Sequence, residues 1–553
     1  MTIMSFASFG YEGEIIKVEA DLRRGLPLID IVGLPGSAVK EARERMRAAI
    51  GNSGISFPQE RILINLSPAD QKKEGSGFDL PIALAVLQAD CPLDIPVMVI
   101  GELELSGHVR PVRGVLGAMV SGAAAGIAYF IVPKENEAEA CIQEGVKIFG
   151  VESLTEALHC LRFIQDALRE ETGRMFEATG IKPAMRSGSI WPREASWSQP
   201  APADAAANTG AGGCFEEVQG QPELVRALHI AAAGGHSVLA YGPPGCGKTL
   251  SMQRFASLLP DLDQKTAEEV THIYSIAGLL PVHAGHDVRI KRPPFRMPHP
   301  NASLEGLIGG AGKGMPGEIS LAHGGTLFLD EAVQFKSTVL QTLRAPLETG
   351  TVTLSRAGRA TTFPARFQLL MALNSCPCGN LGADGKVCTC MPTVIEQYWK
   401  KLTAPLIDRI DLRIPVFPPQ SYALPQKPEY STAAMRRAIG AAENMQKERS
   451  VSYYKIEKRH GHDESSMLPP LSHKNAHLNP ETLPVFCRLT EAAERVFIRN
   501  AEKKNLSGRG SHALLKIART IADLAQEETI AQAHIEEAIR LREWSAFLPF
   551  FMH

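Results

Sequence analysis

VLAYGPPGCGKTLSMQRFASLL, residues 238–259, runs from an apolar stretch through a glycine-rich turn into a helix-forming stretch. Strand, tight loop and helix in that order are what a phosphate-binding loop requires. Within Gly242, Pro243, Pro244, Gly245, Cys246, Gly247, Lys248 and Thr249, the glycines let consecutive backbone N–H groups turn inward around an anion. The start of the helix adds partial positive charge. Lys248 is placed to reach the β- and γ-phosphates, and Thr249 offers a hydroxyl to Mg2+. The bland alternative is a tight turn without a ligand; the strand–loop–helix context argues against it.

Downstream, GGTLFLDEA (324–332) is an apolar strand ending in two carboxylates. Asp330 suits the water shell of Mg2+, and Glu331 can polarise the attacking water. Such a pair is common on solvated surfaces. On a buried-type strand after a phosphate loop it reads as the second half of a nucleotide site. ATP and Mg2+ are the expected cofactors.

The chain has 553 residues, a net charge of −2, 44% hydrophobic and 21% charged residues. That is ordinary globular composition, long enough for about three or four domains at roughly 150 residues each. The overall charge announces no nucleic acid, which leaves local basic surface as the route to one. The N-terminus has no basic flank followed by a long apolar run, and no window approaches about 18 consecutive apolar residues. No membrane span and a cytoplasmic location with reduced thiols are therefore expected. Residues 1–170 alternate short apolar runs (ILINLSP, YFIVP) with helical ones, a mixed α/β pattern. Residues 171–213 read as a linker rich in Ala, Pro, Ser and Gly. Residues 214–420 alternate strands and helices again, and 421–553 are mostly helical.

Beyond the phosphate loop, MPGEISLAHGGTLFLDE, LRAPLETGTVTLSRA, PARFQLLMALNSCPCG and PLIDRIDL resemble the magnesium-chelatase-like AAA+ ATPases. Within that group the chain is most similar to the ComM (YifB) family, over almost its whole length. The resemblance implies a parallel-sheet P-loop core with a helical lid. It implies that Asn374 takes the sensor-1 position and orients the lytic water. Arg409 matches the arginine finger that reaches a neighbouring subunit's nucleotide. Arg509 matches the sensor-2 arginine of the lid, with Arg519 as the fallback. Two segments depart from the family: DEAVQF (330–335) stands where DEL(P)EF is usual, and MPHPNAS (297–303) where APHHTAS is usual. The second follows a basic run with Arg289, Lys291, Arg292 and Arg296, which reads equally as a substrate-facing loop or a solvated one.

KKEGSGFDLPIALAV (72–86) and GHVRPVRGVLGAMVSGAAAG (107–126) resemble the proteolytic domain of Lon proteases, an α/β fold of the ribosomal S5 domain 2-like kind. Lon uses a serine–lysine dyad. Laid together, the segments put Asp79 at the serine position and Ala118 at the lysine position. A Lon-like fold without peptidase chemistry follows; Ser76 is nearby but has no matching lysine.

Four of the ten cysteines fall in CPCGNLGADGKVCTC, residues 376–390. Cys376, Cys378, Cys388 and Cys390 form C-x-C, nine residues, C-x-C, tighter than the usual zinc spacing. Structural Zn2+ and reduced, unliganded thiols both remain open.

The expected function is an ATP-driven hexameric motor that migrates single-stranded or branched DNA in recombination, without base readout. The alternatives are a chelatase-type motor inserting Mg2+ into a porphyrin and, undercut by Asp79 and Ala118, an ATP-dependent protease.

Overall fold

The computed structural model describes residues 2–69, 73, 75–88, 95–177, 213–280, 288–310, 314–356, 359–383, 385–418, 430–459 and 473–542. The N-terminal part is built on a seven-stranded mixed sheet. Its spatial order is Ile29–Val32, Arg61–Ser67, Glu12–Arg23, Thr2–Phe9, Pro96–Val99, Tyr129–Pro133 and Lys147–Val151. Alternation fixes the faces: in Arg61–Ser67, Ile62, Ile64 and Leu66 are buried and the residues between them are not. Helix Asp79–Leu87 covers one face with Ile3, Ile16 and Val97. Helix Val115–Ala124 covers the other with Met98, Phe130 and Val132.

Helix Leu154–Glu177 closes this part. It runs past residue 171, where the linker is expected to begin. Leu154, Ala157, Leu158, Leu161 and Ile164 set a buried helical stripe. The rest of the linker, 178–212, lies outside the described residues.

The second part holds five parallel strands. Their order is Phe295–Arg296, Thr326–Leu329, Gln368–Leu373, Val238–Tyr241 and Leu412–Pro415. Strands Val238–Tyr241 and Thr326–Leu329 are buried throughout, as a parallel sheet covered on both sides demands. This is the AAA+ fold. The C-terminal helices Thr432–Arg459, Glu491–Lys503, Gly508–Leu524 and Gln532–Arg542 form the lid. Leu514, Ile517, Ile521 and Ile535 share one apolar cluster with Val238, Ala240 and Leu370, so the lid packs on one sheet face. His236 joins the two parts, bonding Asp411 at 2.9 Å and Thr520 at 2.8 Å.

The N-terminal part is docked on the second part. Glu139 is buried and accepts hydrogen bonds from Leu116 N–H at 2.9 Å, Asn136 at 3.0 Å and the Ser275 hydroxyl. Ser275 lies on helix Gln264–Ala277 of the core. The hairpin tip at Gly10 and Tyr11 meets Thr361, whose hydroxyl accepts from Tyr11 N–H at 3.1 Å. Among the described residues no helix is long and apolar enough to cross a membrane.

Candidate nucleotide site

The strand Val238–Tyr241 delivers the chain into the phosphate loop at the C-terminal end of the sheet. Gly242 is needed for packing: a Cβ there would stand 1.9 Å from the carbonyl oxygen of Val416. Gly245 and Gly247, both at φ +79°, are needed for conformation, and a Cβ at either would project into open space. Helix Lys248–Arg254 starts directly after.

Lys248 is buried, and its Nζ donates to the carbonyl oxygens of Gly242 at 2.8 Å and Pro243 at 2.6 Å. Burial pushes its pKa down. A phosphate oxygen entering the cradle would replace those carbonyls as acceptor. Thr249 Oγ1 donates to Asp330 at 3.0 and 3.2 Å. A hydroxyl and a carboxylate in contact are the hard oxygen donors that Mg2+ takes beside phosphate. The residues present fit that ion.

Glu331 follows with φ +48°, a left-handed conformation rare for a side-chain-bearing residue. Its N–H donates to Asp330 at 3.0 Å, and its carboxylate accepts a close hydrogen bond from the Gln334 amide. The DEAVQF departure thus puts a donor on Glu331, a contact sequence reading missed. The strand Gln368–Leu373 lies between the phosphate-loop and carboxylate strands, with Leu373 beside Tyr241 and Met371 beside Leu329. Asn374, one residue beyond, therefore stands between the two halves of the site.

Arg409 and Arg509 are not part of this cluster. The charges that act on Lys248 come from Cys246, Asp330 and Glu331. Both arginines instead pair with Glu348, at the end of helix Arg344–Thr349. Arg509 first, and then Arg409, hold its carboxyl below the usual range. They line a cavity of about 750 Å³ together with Arg344, Lys400 and Arg413, and among the described residues Asp408 gives its lining carboxylate. Arg519 is excluded as the fallback. It is fully buried, bonded to Asp523 at 3.0 Å and to the Glu528 carbonyl at 2.6 Å, so it ties the lid helix to its own turn.

Of the basic run, Lys291 and Arg292 are exposed. Arg296 is not available to a substrate: it is clamped by Glu318 through two contacts of 2.7 Å.

The Lon-like positions carry no nucleophile. Asp79 is buried and receives Arg45 at 2.8 and 3.0 Å. Burial pushes its carboxyl up, and Arg45 opposes that. Ala118 lies on the helix across the sheet. The Ser76 hydroxyl is bonded to Glu102, which gives it no lysine base. The purified protein is expected not to cleave casein with or without ATP; cleavage abolished by Ser76→Ala would overturn this.

The family model described as magnesium chelatase, subunit ChlI, matches residues 214–423. Its companions, subunit ChlI of Mg-chelatase and the ChlI C-terminal part, match 18–136 and 429–542. The chain is 35% identical over 543 residues to the uncharacterized protein YifB of Escherichia coli, covering 97% of this chain and 96% of that one. It is 34% identical over 548 residues to the competence protein ComM of Haemophilus influenzae, covering 98% and 97%. It is 27% identical over 184 residues to the Lon protease of Clostridium beijerinckii, covering 31% and 22%.

Proposed function

This chain belongs to the YifB/ComM family of magnesium-chelatase-like AAA+ ATPases, and from that premise we propose that it is a ring-forming, ATP-driven motor that migrates branched DNA. One observation carries the ring: Arg409 and Arg509 converge on Glu348, away from the Lys248–Asp330 cluster. Phosphoryl transfer requires positive charge on the γ-phosphate. A site whose arginines sit elsewhere on its own chain obtains them from a neighbour. Each subunit then presents the cation-lined cavity to the next subunit's nucleotide.

Within one subunit, Lys248 and the loop N–H groups bind the phosphates. Thr249 and Asp330 would hold Mg2+, which when bound neutralises phosphate charge. Glu331, held by Gln334, orients and polarises water, and Asn374 fixes it from the intervening strand. The assembly we assign is a homohexamer.

DNA is assigned from relatedness. One full-length relative is named a competence protein, and competence is uptake of DNA. The contacts would be to backbone, with exposed Lys291 and Arg292 as the first candidates and binding that weakens steeply with salt. A second reading, a motor subunit for Mg2+ insertion, is favoured by the chelatase name of all three matching models. One of these covers residues 18–136, so the N-terminal part does not by itself separate the two. Branch migration of a four-way junction tests the choice.

A further inference from the structure

We propose that Cys376, Cys378, Cys388 and Cys390 hold one zinc ion in a closed four-thiolate site, and that this knot braces the phosphate loop. The four sulfurs lie within 4.8 Å of one another. Cys376 and Cys378 are 3.3 Å apart, and Cys388 is 3.6 Å from each of them. Four sulfurs each about 2.3 Å from a tetrahedral ion stand about 3.8 Å apart, so the cluster already has the size of the site. Disulfide sulfurs would be about 2.05 Å apart, and these cysteines are free thiols. Four sulfur donors select zinc over the oxygen-seeking magnesium of the nucleotide site. Loading is balanced: the ion takes four thiolates, and the four thiol protons pass to solvent. Backbone N–H groups already point at the sulfurs, Leu381 toward Cys376 at 3.4 Å and Asn380 toward Cys378. Such outer contacts spread thiolate charge.

The brace is a matter of packing. Gly379, at φ +78°, lies against the phosphate loop: a Cβ there would stand 2.9 Å from Pro244 Cδ and 3.0 Å from its Cγ. On its other side the knot leads into helix Pro392–Lys400. Trp399 of that helix donates to the Ser375 carbonyl at 3.0 Å and meets the Tyr241 ring edge-on at 5.7 Å. Tyr241 is the last residue of the strand that enters the phosphate loop. The knot therefore touches the loop at Pro244 and, through Trp399, the strand that feeds it. Cys376 and Leu381 seat one end of the segment in an apolar cluster, while glycines at 379, 382 and 385 leave the backbone between the cysteine pairs costly to order; the metal adds that order.

The brace rests on the nucleotide reading of the loop, whereas the metal content does not, so the two fail separately. Elemental analysis of full-length protein purified without chelator should find about one zinc per chain, released by a mercurial as the four thiols react. Well under one zinc, with all four thiols freely reactive in folded protein, would overturn the site. Stripping zinc from folded protein should weaken binding of a fluorescent ATP analogue at least about tenfold, with recovery on adding Zn2+. Gly379→Ala keeps all four sulfurs; it should retain zinc and show a similar loss. Unchanged ATP affinity in both experiments would overturn the brace and leave the zinc site standing. Zinc-loaded wild-type protein that binds no ATP would instead refute the nucleotide reading.

Discussion

Glu331→Gln should stop ATP turnover, by at least about 100-fold, while leaving nucleotide binding intact. A positioned general base contributes on the order of 10²–10⁴-fold to rate, and glutamine is close to glutamate in shape but cannot take a proton. The local geometry sharpens the expectation. Glu331 is held at φ +48° with its N–H on Asp330 and its carboxylate on the Gln334 amide. Of the charges acting on Lys248 that of Glu331 is the smallest, so the variant should keep its phosphate cradle and accumulate as an ATP-loaded assembly. Lys248→Ala should behave oppositely. It removes the buried ammonium that now rests on the Gly242 and Pro243 carbonyls, and binding itself should weaken. Equilibrium binding and steady-state hydrolysis on the same preparations distinguish the two; a normal hydrolysis rate in Glu331→Gln would remove that residue from the mechanism.

Arg409→Ala should bind ATP normally and hydrolyse it on the order of 10³-fold more slowly, the size of an arginine supplied in trans. Arg509→Ala should belong to the same class, because both side chains meet on Glu348. The decisive form is a mixing experiment. Neither Arg409→Ala nor Glu331→Gln should turn over appreciably alone. A mixed ring contains interfaces at which an intact Glu331 faces an intact Arg409 from the neighbour, so activity should return in part. Arg509→Ala should be rescued by Glu331→Gln in the same way. No recovery at any ratio, with mixed assemblies demonstrated, would place both arginines in the subunit's own chemistry and remove the argument for a shared site.

The phosphate loop was legible because its chemistry is local: eight consecutive residues carry the glycines, the lysine and the hydroxyl. The carboxylate strand was legible for the same reason, its apolar run ending where polar ligands begin. Glu348 was not. It is an unremarked carboxylate near a helix end until residues 61 and 161 positions away in the chain fold onto it. Gln334 was visible as a departure from a family pattern, but its contact with Glu331 depends on the left-handed turn between them. The resemblance put Arg509 ahead of Arg519, but it could not say that Arg519 faces inward and spends its donors on Asp523 and backbone carbonyls. Arg296 looked like part of a basic surface until Glu318, 22 residues on, closed over it. In the N-terminal part, alternation exposed the strands. The buried Asp79–Arg45 pair at the serine position required the approach of two helices, bringing together residues 34 positions apart in the chain.

Branch migration measures the central claim most directly. Purified full-length protein, ATP, Mg2+ and a labelled four-way junction with homologous arms should yield resolved duplex products. The reaction should be lost in Lys248→Ala and Glu331→Gln and should slow steeply as salt is raised. An ATPase that is active and assembled yet leaves the junction intact at low salt, with no stimulation of hydrolysis by DNA, would contradict the account.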